Sequence, residues 1–204
     1  GDEAGTAITT GDNNTALGYS SLAANTTGTR NTAVGTSAGT AITTGGNNTV
    51  MGYNALATNT VGDRNVAIGE GALQTHNPSS NADTYNVAVG YDAGNAVTTA
   101  THNTLIGALA GDSLTTGASN VAVGYGALTT DDVGQHNVAI GRDALSAQNI
   151  ASAANTYNTA VGSSAGAAVT TGTSNTLIGG LAGNANTTGG NNTFVGKSAG
   201  VANT

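Results

Sequence analysis

The residues that could do chemistry in this sequence are three histidines and a scatter of acids. His76, His102 and His136 form no His-x-x-His or Glu-x-x-His arrangement. The acids near predicted turns are Asp12, Asp63, Asp92, Asp112, Asp131, Asp132 and Asp143. They do not recur at one repeat position, and the Gly-Gly-x-Gly-x-Asp nonapeptide of calcium-binding solenoids is missing. The sequence therefore predicts neither a metal site nor a cofactor.

Catalysis is also not expected. A glycosidase needs two carboxylates that face each other across a groove, whereas the acids here are single and scattered. The sequence contains no cysteine, which removes thiolate nucleophiles and thiolate zinc sites together. We therefore predict that the chain is not an enzyme and has no catalytic residues.

Charge and hydropathy exclude two further classes of partner. Only four residues are Lys or Arg, and the formal net charge is −7. A nucleic-acid-binding surface needs a basic patch that this composition does not supply. No apolar run approaches the ~18 residues that a membrane-spanning helix requires, so membrane insertion is not expected.

A short repeat dominates the whole chain, and repeats indicate architecture before any other feature. Its pattern is Asn-[Thr/Val]-x-[Val/Ile/Leu/Met]-Gly-x-x-[Ala/Ser]-[Leu/Gly]. The repeat asparagines are Asn14, Asn31, Asn48, Asn65, Asn86, Asn103, Asn120, Asn137, Asn158, Asn175 and Asn192. They follow a 17-residue period that two longer intervals interrupt, so four-residue insertions fall within 74–85 and 146–157. Residues 1–204 thus form one repetitive segment of about 11 rungs.

The repeat predicts short strands and not helices. Positions 2 to 4 alternate in type, as in Val66-Ala67-Ile68, and this period of two is typical of a strand. Position 12 often restores a large residue before Thr-Thr-Gly, which predicts a second strand. We expect the large residues at positions 4 and 12 to form the core. The predicted fold is all-β, a parallel β-solenoid (β-roll) of 17-residue rungs, roughly 50 Å long at ~4.8 Å per strand.

Three columns of the repeat have an expected structural role, represented by Asn65, Gly69 and Ala72 in one unit and by Asn137, Gly141 and Ala144 in another. Asn tolerates a left-handed turn, and stacked Asn side chains can form hydrogen-bonded ladders. Gly suits a positive φ or a close backbone approach. The Ala column predicts tight packing against another element. Because two large apolar anchors per unit are few against the backbone entropy of the whole unit, we expect an oligomer.

Two families of fibrous proteins contain similar repeats. Asn65-Val66-Ala67-Ile68-Gly69 resembles the core motif of trimeric autotransporter adhesin heads. Longer stretches, such as 47–55, more closely resemble repeats of bacteriophage tail fibres. The resemblance implies a left-handed β-roll, three copies of which associate side by side as a homotrimer, and flanking fibre or tail proteins as neighbours.

The aromatic and threonine columns suggest two binding functions. Tyr19, Tyr53, Tyr91 and Tyr125 follow the motif glycine and could stack on sugar rings, pack across the corner of the rung, or pack at a subunit seam. Thr-Thr pairs recur at positions 13 and 14, and threonine ladders on a flat solenoid face are the feature that ice-binding proteins use. Because adjacent residues of a strand point to opposite faces, one threonine per rung would face outward.

The two insertions are the only breaks in the regular rod. Since the core columns resume in register after each insertion, we expect the added residues to bulge outward as surface loops. His76, Asn77 and Pro78 in the first loop, and Gln148 and Asn149 in the second, are then candidate lateral contacts for a bacterial surface glycan or a neighbouring fibre protein.

The combined expectation is a non-enzymatic rod of a phage tail fibre, located on the virion or at an extracellular surface, that presents a receptor-binding tip. The chain starts and stops in mid-unit, so we expect it to be a segment of a longer fibre. The alternatives are a bacterial trimeric surface adhesin that binds host matrix or glycans, and an ice-binding solenoid.

Overall fold

A computed structural model describes residues 1–201 and confirms the all-β parallel solenoid with its 17-residue rungs; within these residues no helix forms. The strands in chain order are β1 (Thr15–Leu17), β2 (Thr32–Val34), β3 (Thr49–Met51), β4 (Gly62–Asp63), β5 (Val66–Ile68), β6 (Ala82–Asp83), β7 (Val87–Val89), β8 (Thr104–Ile106), β9 (Val121–Val123), β10 (Gly134–Gln135), β11 (Val138–Ile140), β12 (Ala154–Asn155), β13 (Thr159–Val161), β14 (Thr176–Ile178) and β15 (Thr193–Val195).

The eleven three-residue strands form one parallel sheet in which every rung pairs with the next. Thr15 pairs with Thr32, its equivalent in the next repeat, and Val66 pairs with Val87, its equivalent beyond the first insertion. Repeat position therefore matches repeat position along the entire sheet, including across the insertions. Ten spacings between eleven strands give a rod of about 48 Å.

The strands face the core with the residue at position 3, which corrects the prediction for position 4. Ala33, Val50 and Ala67 at position 3 are fully buried. At position 4, Leu17 and Met51 are 61% and 40% exposed. The roll is thin, and the residues of the opposite wall occupy most of its interior, so the strand side contributes mainly alanine.

In most rungs the opposite wall holds one large apolar residue, at either position 9 or position 12; the rung of Asn175 has neither, with Gly183 and Asn186 at these positions. Gly39 at position 9 accompanies Ile42 at position 12, whereas Leu56 at position 9 accompanies Asn59 at position 12. Ile42 and Leu56 are both fully buried. The prediction that position 12 provides a core anchor is therefore correct only for the rungs that carry glycine at position 9.

The predicted second strand at position 12 is wrong. Positions 12 to 14 form a turn, and the only other strands among residues 1–201 are the two-residue pairs β4–β6 and β10–β12, next to the insertions. Backbone hydrogen bonds still connect this wall between rungs, as from Thr26 N to Thr43 O at 3.0 Å. The wall is thus hydrogen-bonded along the rod without being a regular sheet.

Left-handed residues turn the chain at three places in each rung, and the repeat asparagine is not one of them. Arg30 just before the repeat asparagine, Ser37 at position 7 and Leu56 at position 9 have φ values of 58°, 56° and 49°. The left-handed turn expected at Asn65 and Asn137 therefore lies one residue earlier, at Arg64 (φ 60°) and His136 (φ 61°).

The asparagine column forms the predicted ladder inside the roll. The backbone N–H of Asn65 donates to Oδ1 of Asn48 at 2.9 Å, and that of Asn137 donates to Oδ1 of Asn120 at 2.9 Å. The amide groups of this column also cap the position-15 turn, as from Asn48 Nδ2 to Gly62 O at 3.0 Å. Because Asn48, Asn65 and Asn137 are fully buried, the ladder satisfies polar groups that water cannot reach.

The glycine column permits the rungs to stack closely. Gly69 and Gly141 have φ values of 129° and 131°, and a Cβ atom on Gly141 would lie 2.5 Å from the carbonyl oxygen of Gly162 in the next rung. The alanine column is packed within the chain itself: Ala72 and Ala144 are fully buried in the core. The small residues of this column are therefore accounted for without a second subunit.

Candidate functional site

Each insertion divides into two parts. In the first insertion, Gly62 pairs with Ala82 and Asp63 with Asp83, so Thr84 and Tyr85 lie where the preceding rung has Arg64 alone. One added residue therefore forms a bulge before Asn86, and the other three lie within 78–81. In the second insertion, Gly134 pairs with Ala154 and Gln135 with Asn155 in the same way.

The expectation that the insertions face outward is wrong for three of the five candidate contact residues. His76 and Gln148 occupy position 12 and are fully buried, and Pro78 is buried against Gly62 of the preceding rung. Asn77 and Asn149 are exposed, and Asn77 Oδ1 accepts a hydrogen bond from the hydroxyl of Thr60 at 2.8 Å. The exposed parts of the loops are residues 79–81 and 151–153.

Gln148 organises a buried polar network around Asp131. Gln148 Nε2 donates to Asp131 Oδ2 at 2.7 Å, and Gln148 Oε1 accepts from Asn158 Nδ2 at 2.8 Å. The bulge residue Thr156 donates its hydroxyl proton to Asn137 Oδ1 at 2.6 Å. Burial raises the pKa of the Asp131 carboxyl, although the Gly134 N–H and the Gln148 amide oppose that shift. These groups are enclosed in the roll, so the network stabilises the insertion and is not a site for a ligand.

His76 occupies the equivalent place in the first insertion without equivalent partners. Both ring nitrogens are buried and have no hydrogen-bond partner of good geometry, whereas Thr84 still donates to Asn65 Oδ1 at 2.8 Å. The Thr98 backbone interacts with the ring and opposes the effect of burial on its pKa. Burial lowers the pKa of His76 to about 4. At neutral pH the imidazole is therefore an uncharged part of the core and not a surface contact.

One continuous feature of the surface is the outer side of the eleven-stranded sheet, which we call the sheet face. We define it as the side chains at repeat positions 2 and 4. Position 2 is Thr or Val, and position 4 is Leu, Val, Met or Ile, so no charged residue occurs on the face. Leu17, Ile106 and Ile178 are 61%, 39% and 40% exposed. Extended, charge-free apolar surfaces of this kind mark interaction sites.

Two columns of larger side chains border the sheet face. The 17-edge is the residue just before each repeat asparagine and the 6-edge is the residue just after each motif glycine. The 17-edge contains Asn13, Arg30, Asn47, Arg64, Tyr85, His102, Ser119, His136, Tyr157, Ser174 and Asn191. The 6-edge contains Tyr19, Thr36, Tyr53, Glu70, Tyr91, Ala108, Tyr125, Arg142, Ser163, Gly180 and Lys197.

The tyrosines of both edges are exposed. On the 6-edge, Tyr19, Tyr53 and Tyr125 are 53–56% exposed, so about half of each residue is open to a ligand or a second subunit. On the 17-edge, Tyr85 stacks with His102 at 5.5 Å between ring centroids, and Tyr157 stacks with His136 at 5.3 Å. Tyr85 and Tyr157 were not among the contacts expected from the sequence. The sequence feature that could have indicated them is their position directly before the repeat asparagines Asn86 and Asn158.

The threonine pairs have different surroundings at their two positions. At position 13 the hydroxyl donates to a carbonyl of the next rung, as from Thr43 to Thr60 O at 3.0 Å and from Thr98 to Thr115 O at 3.0 Å. At position 14, Thr44 and Thr99 are exposed. Where a rung carries the Thr-Thr pair, the threonine at position 14 is therefore the one that faces solvent. The column is interrupted where position 14 is Val61, Pro78, Val133 or Ile150.

The part of the chain that the structure describes has no enclosed site of another kind. Residues 1–201 contain no pocket and no group of three or more His, Asp or Glu side chains placed to hold a metal ion. Over the same residues, no helix has the length and apolar character needed to cross a membrane.

Comparison with protein-family models, curated proteins and solved structures finds no match to this chain. The function must therefore be inferred from the fold and from the sheet face with its two edges.

Proposed function

We propose that this chain is a structural rod that assembles as a homotrimer and acts as a spacer in a phage tail fibre, where it holds a receptor-binding tip away from the virion. The single observation that carries this proposal is the sheet face, an uncharged and largely apolar surface that continues over all eleven strands. A protein that worked as a monomer would expose this surface to water, whereas side-by-side copies would bury it.

The backbone supports a mechanical role. Hydrogen bonds connect every rung to the next on the strand side, and the asparagine ladder adds buried bonds in the same direction. A load along the rod would therefore be carried by hydrogen bonds at every rung between β1 and β15. The few charged and aromatic side chains suit a spacer better than a binding domain.

The runner-up is a bacterial surface adhesin, because the repeat resembles the core motif of adhesin heads and because exposed tyrosines can stack on sugar rings. An ice-binding solenoid is a third possibility. It is less well supported, since the position-13 hydroxyls are engaged in hydrogen bonds and leave a single exposed threonine column in that wall.

Assembly and location test the proposal separately. Light scattering of the purified chain should give about three times 19.5 kDa, and a stable monomer would contradict the trimer. Immunogold labelling with an antibody against the chain should mark tail fibres of virions in a phage lysate. Labelling of bacterial envelopes instead would favour the adhesin. Thermal hysteresis above that of an inert protein at equal molarity would favour ice binding.

A further inference from the structure

We infer that the 17-edge of one chain packs against the 6-edge of the next chain at the same height, with Arg64 of one copy paired to Glu70 of its neighbour. This inference rests on the proposed homotrimer and specifies how its subunits meet. The occupant of each edge is a second copy of this chain.

The first argument concerns area. The sheet face is three residues wide and about 48 Å long, which gives on the order of 500 Å². Including the two edges widens the surface to seven residues, or about 1,100 Å² per chain. A specific interface between two proteins buries at least about 1,000 Å² in total. In a ring of three, each chain divides its surface between two neighbours, so both edges are needed to reach that area.

The second argument concerns height along the rod. Arg64 and Glu70 lie at opposite ends of the same strand, separated by residues 65–69. That separation is on the order of 15–20 Å of extended chain, so the two side chains cannot meet within one copy. In a three-fold ring whose axis runs parallel to the rod, equivalent residues of all copies lie at one height. Each 17-edge residue of one copy then faces a 6-edge residue of the neighbouring copy. The facing residue has a number that is higher by six.

The third argument is the match in charge and size that this geometry produces. Glu70 is the single acid on either edge, and it lies at the height of Arg64. Among the described residues Glu70 makes no ion pair, while Arg64 pairs with Asp83 and keeps 44% of its side chain exposed. A guanidinium has five donors and can bind a second carboxylate.

Large side chains on one edge mostly face small ones on the other. Seven of the eleven facing pairs have this relationship: Asn13–Tyr19, Arg30–Thr36, Asn47–Tyr53, His102–Ala108, Ser119–Tyr125, Tyr157–Ser163 and Asn191–Lys197. Ser174–Gly180 joins two small residues, and His136–Arg142 joins two large ones. One rung has two large aromatic residues, Tyr85 and Tyr91, whose rings would stack. No contact within the chain accounts for this match, because the strand separates the two edges. A contact between copies does account for it.

Charge exchange tests the central pair. Arg64→Glu alone and Glu70→Arg alone should each raise the protein concentration at which the trimer dissociates by about tenfold or more, because each places like charges opposite one another. The double variant should return to within about threefold of the unchanged chain. Circular dichroism checks that each variant remains folded. Double-variant behaviour equal to the sum of the single variants would overturn the pairing.

Disulfide trapping tests the register without depending on charge. The chain has no native cysteine, so Ser119→Cys with Tyr125→Cys places one thiol on each edge at one height. Oxidation should yield covalent trimers, since a disulfide requires Cα atoms within about 7 Å. The matched control, Ser119→Cys with Tyr91→Cys, is offset by two rungs and should remain uncrosslinked. A native trimer without crosslinks in the first variant would overturn this inference alone, whereas a native monomer would overturn the proposed trimer as well.

Discussion

Gly39 leaves the space that the side chain of Ile42 fills. A Cβ atom on Gly39 would lie 2.9 Å from Cδ1 of Ile42 and 3.2 Å from Cδ2 of Leu22 in the preceding rung. The next rung solves the same packing problem with Leu56, and its position 12 is then Asn59, whose side chain caps the turn at Gly62 at 2.8 and 2.9 Å. Each of these rungs thus has room for one large residue between positions 9 and 12.

Exchanging the two arrangements should therefore be tolerated only as a pair. Gly39→Leu alone should lower the free energy of unfolding by about 1–3 kcal/mol through overpacking. Ile42→Asn alone should lower it by about 2–5 kcal/mol through the lost apolar contacts. The double variant should recover most of both losses, with a coupling energy of at least about 1 kcal/mol in urea unfolding. Strictly additive losses would contradict the shared-space explanation.

The close approach of rungs at the glycine column predicts a large effect of a single methyl group. Gly141→Ala should lower the free energy of unfolding by about 2–4 kcal/mol, because φ is 131° and the new Cβ atom would lie 2.5 Å from the carbonyl oxygen of Gly162. Gly180→Ala is the matched control, since the nearest atom to its Cβ would be Ser163 O at 3.9 Å. Thermal unfolding should separate the two variants, and equal melting temperatures would disprove the close contact.

His76 predicts a dependence of stability on pH. Its pKa falls from an ordinary 6.5 to about 4 in the folded chain because of burial, so only the unfolded chain takes up this proton between those values. Above pH 6.5 the buried imidazole therefore does not reduce the free energy of unfolding. As the pH falls from 6.5 towards 4, protonation of the unfolded chain lowers the free energy of unfolding by up to about 3 kcal/mol. His76→Gln, the residue found at the equivalent Gln148, should remove this loss. Urea unfolding at pH 7 and pH 4.5 measures it, and an unchanged pH profile in the variant would assign the dependence to other groups.

The two parts of the first insertion should differ in importance. Removing Ser79–Asn81 joins position 14 directly to Ala82 and should change the free energy of unfolding by less than about 1 kcal/mol. Thr84→Val should cost about 1–3 kcal/mol, because the single hydroxyl proton lies between two acceptors, Asp63 O at 2.9 Å and Asn65 Oδ1 at 2.8 Å. A deletion more harmful than the substitution would show that the exposed loop has a structural role.

The sequence alone determined the architecture of this protein. A 17-residue period places chemically equal residues in equal environments, and only stacked rungs provide such environments throughout a chain. The asparagine ladder and the close approach at Gly69 and Gly141 followed from the same columns, because their side-chain chemistry has few structural uses.

Only the tertiary structure decided which side of each strand is buried and where the inserted residues lie. The alternation of residue types along each strand indicates two faces but does not show which face is buried. The larger residue at position 4 therefore led to the wrong prediction that position 4 faces the core. The large residue of the opposite wall, such as Leu56 or Ile42, leaves little room on the strand side, where alanine is the commonest residue, as at Ala33 and Ala67. The burial of His76 and Gln148 likewise depends on the pairing of β4 with β6 and of β10 with β12. Such pairing joins residues of successive rungs that are far apart in the chain, a separation at which local sequence patterns contain no signal.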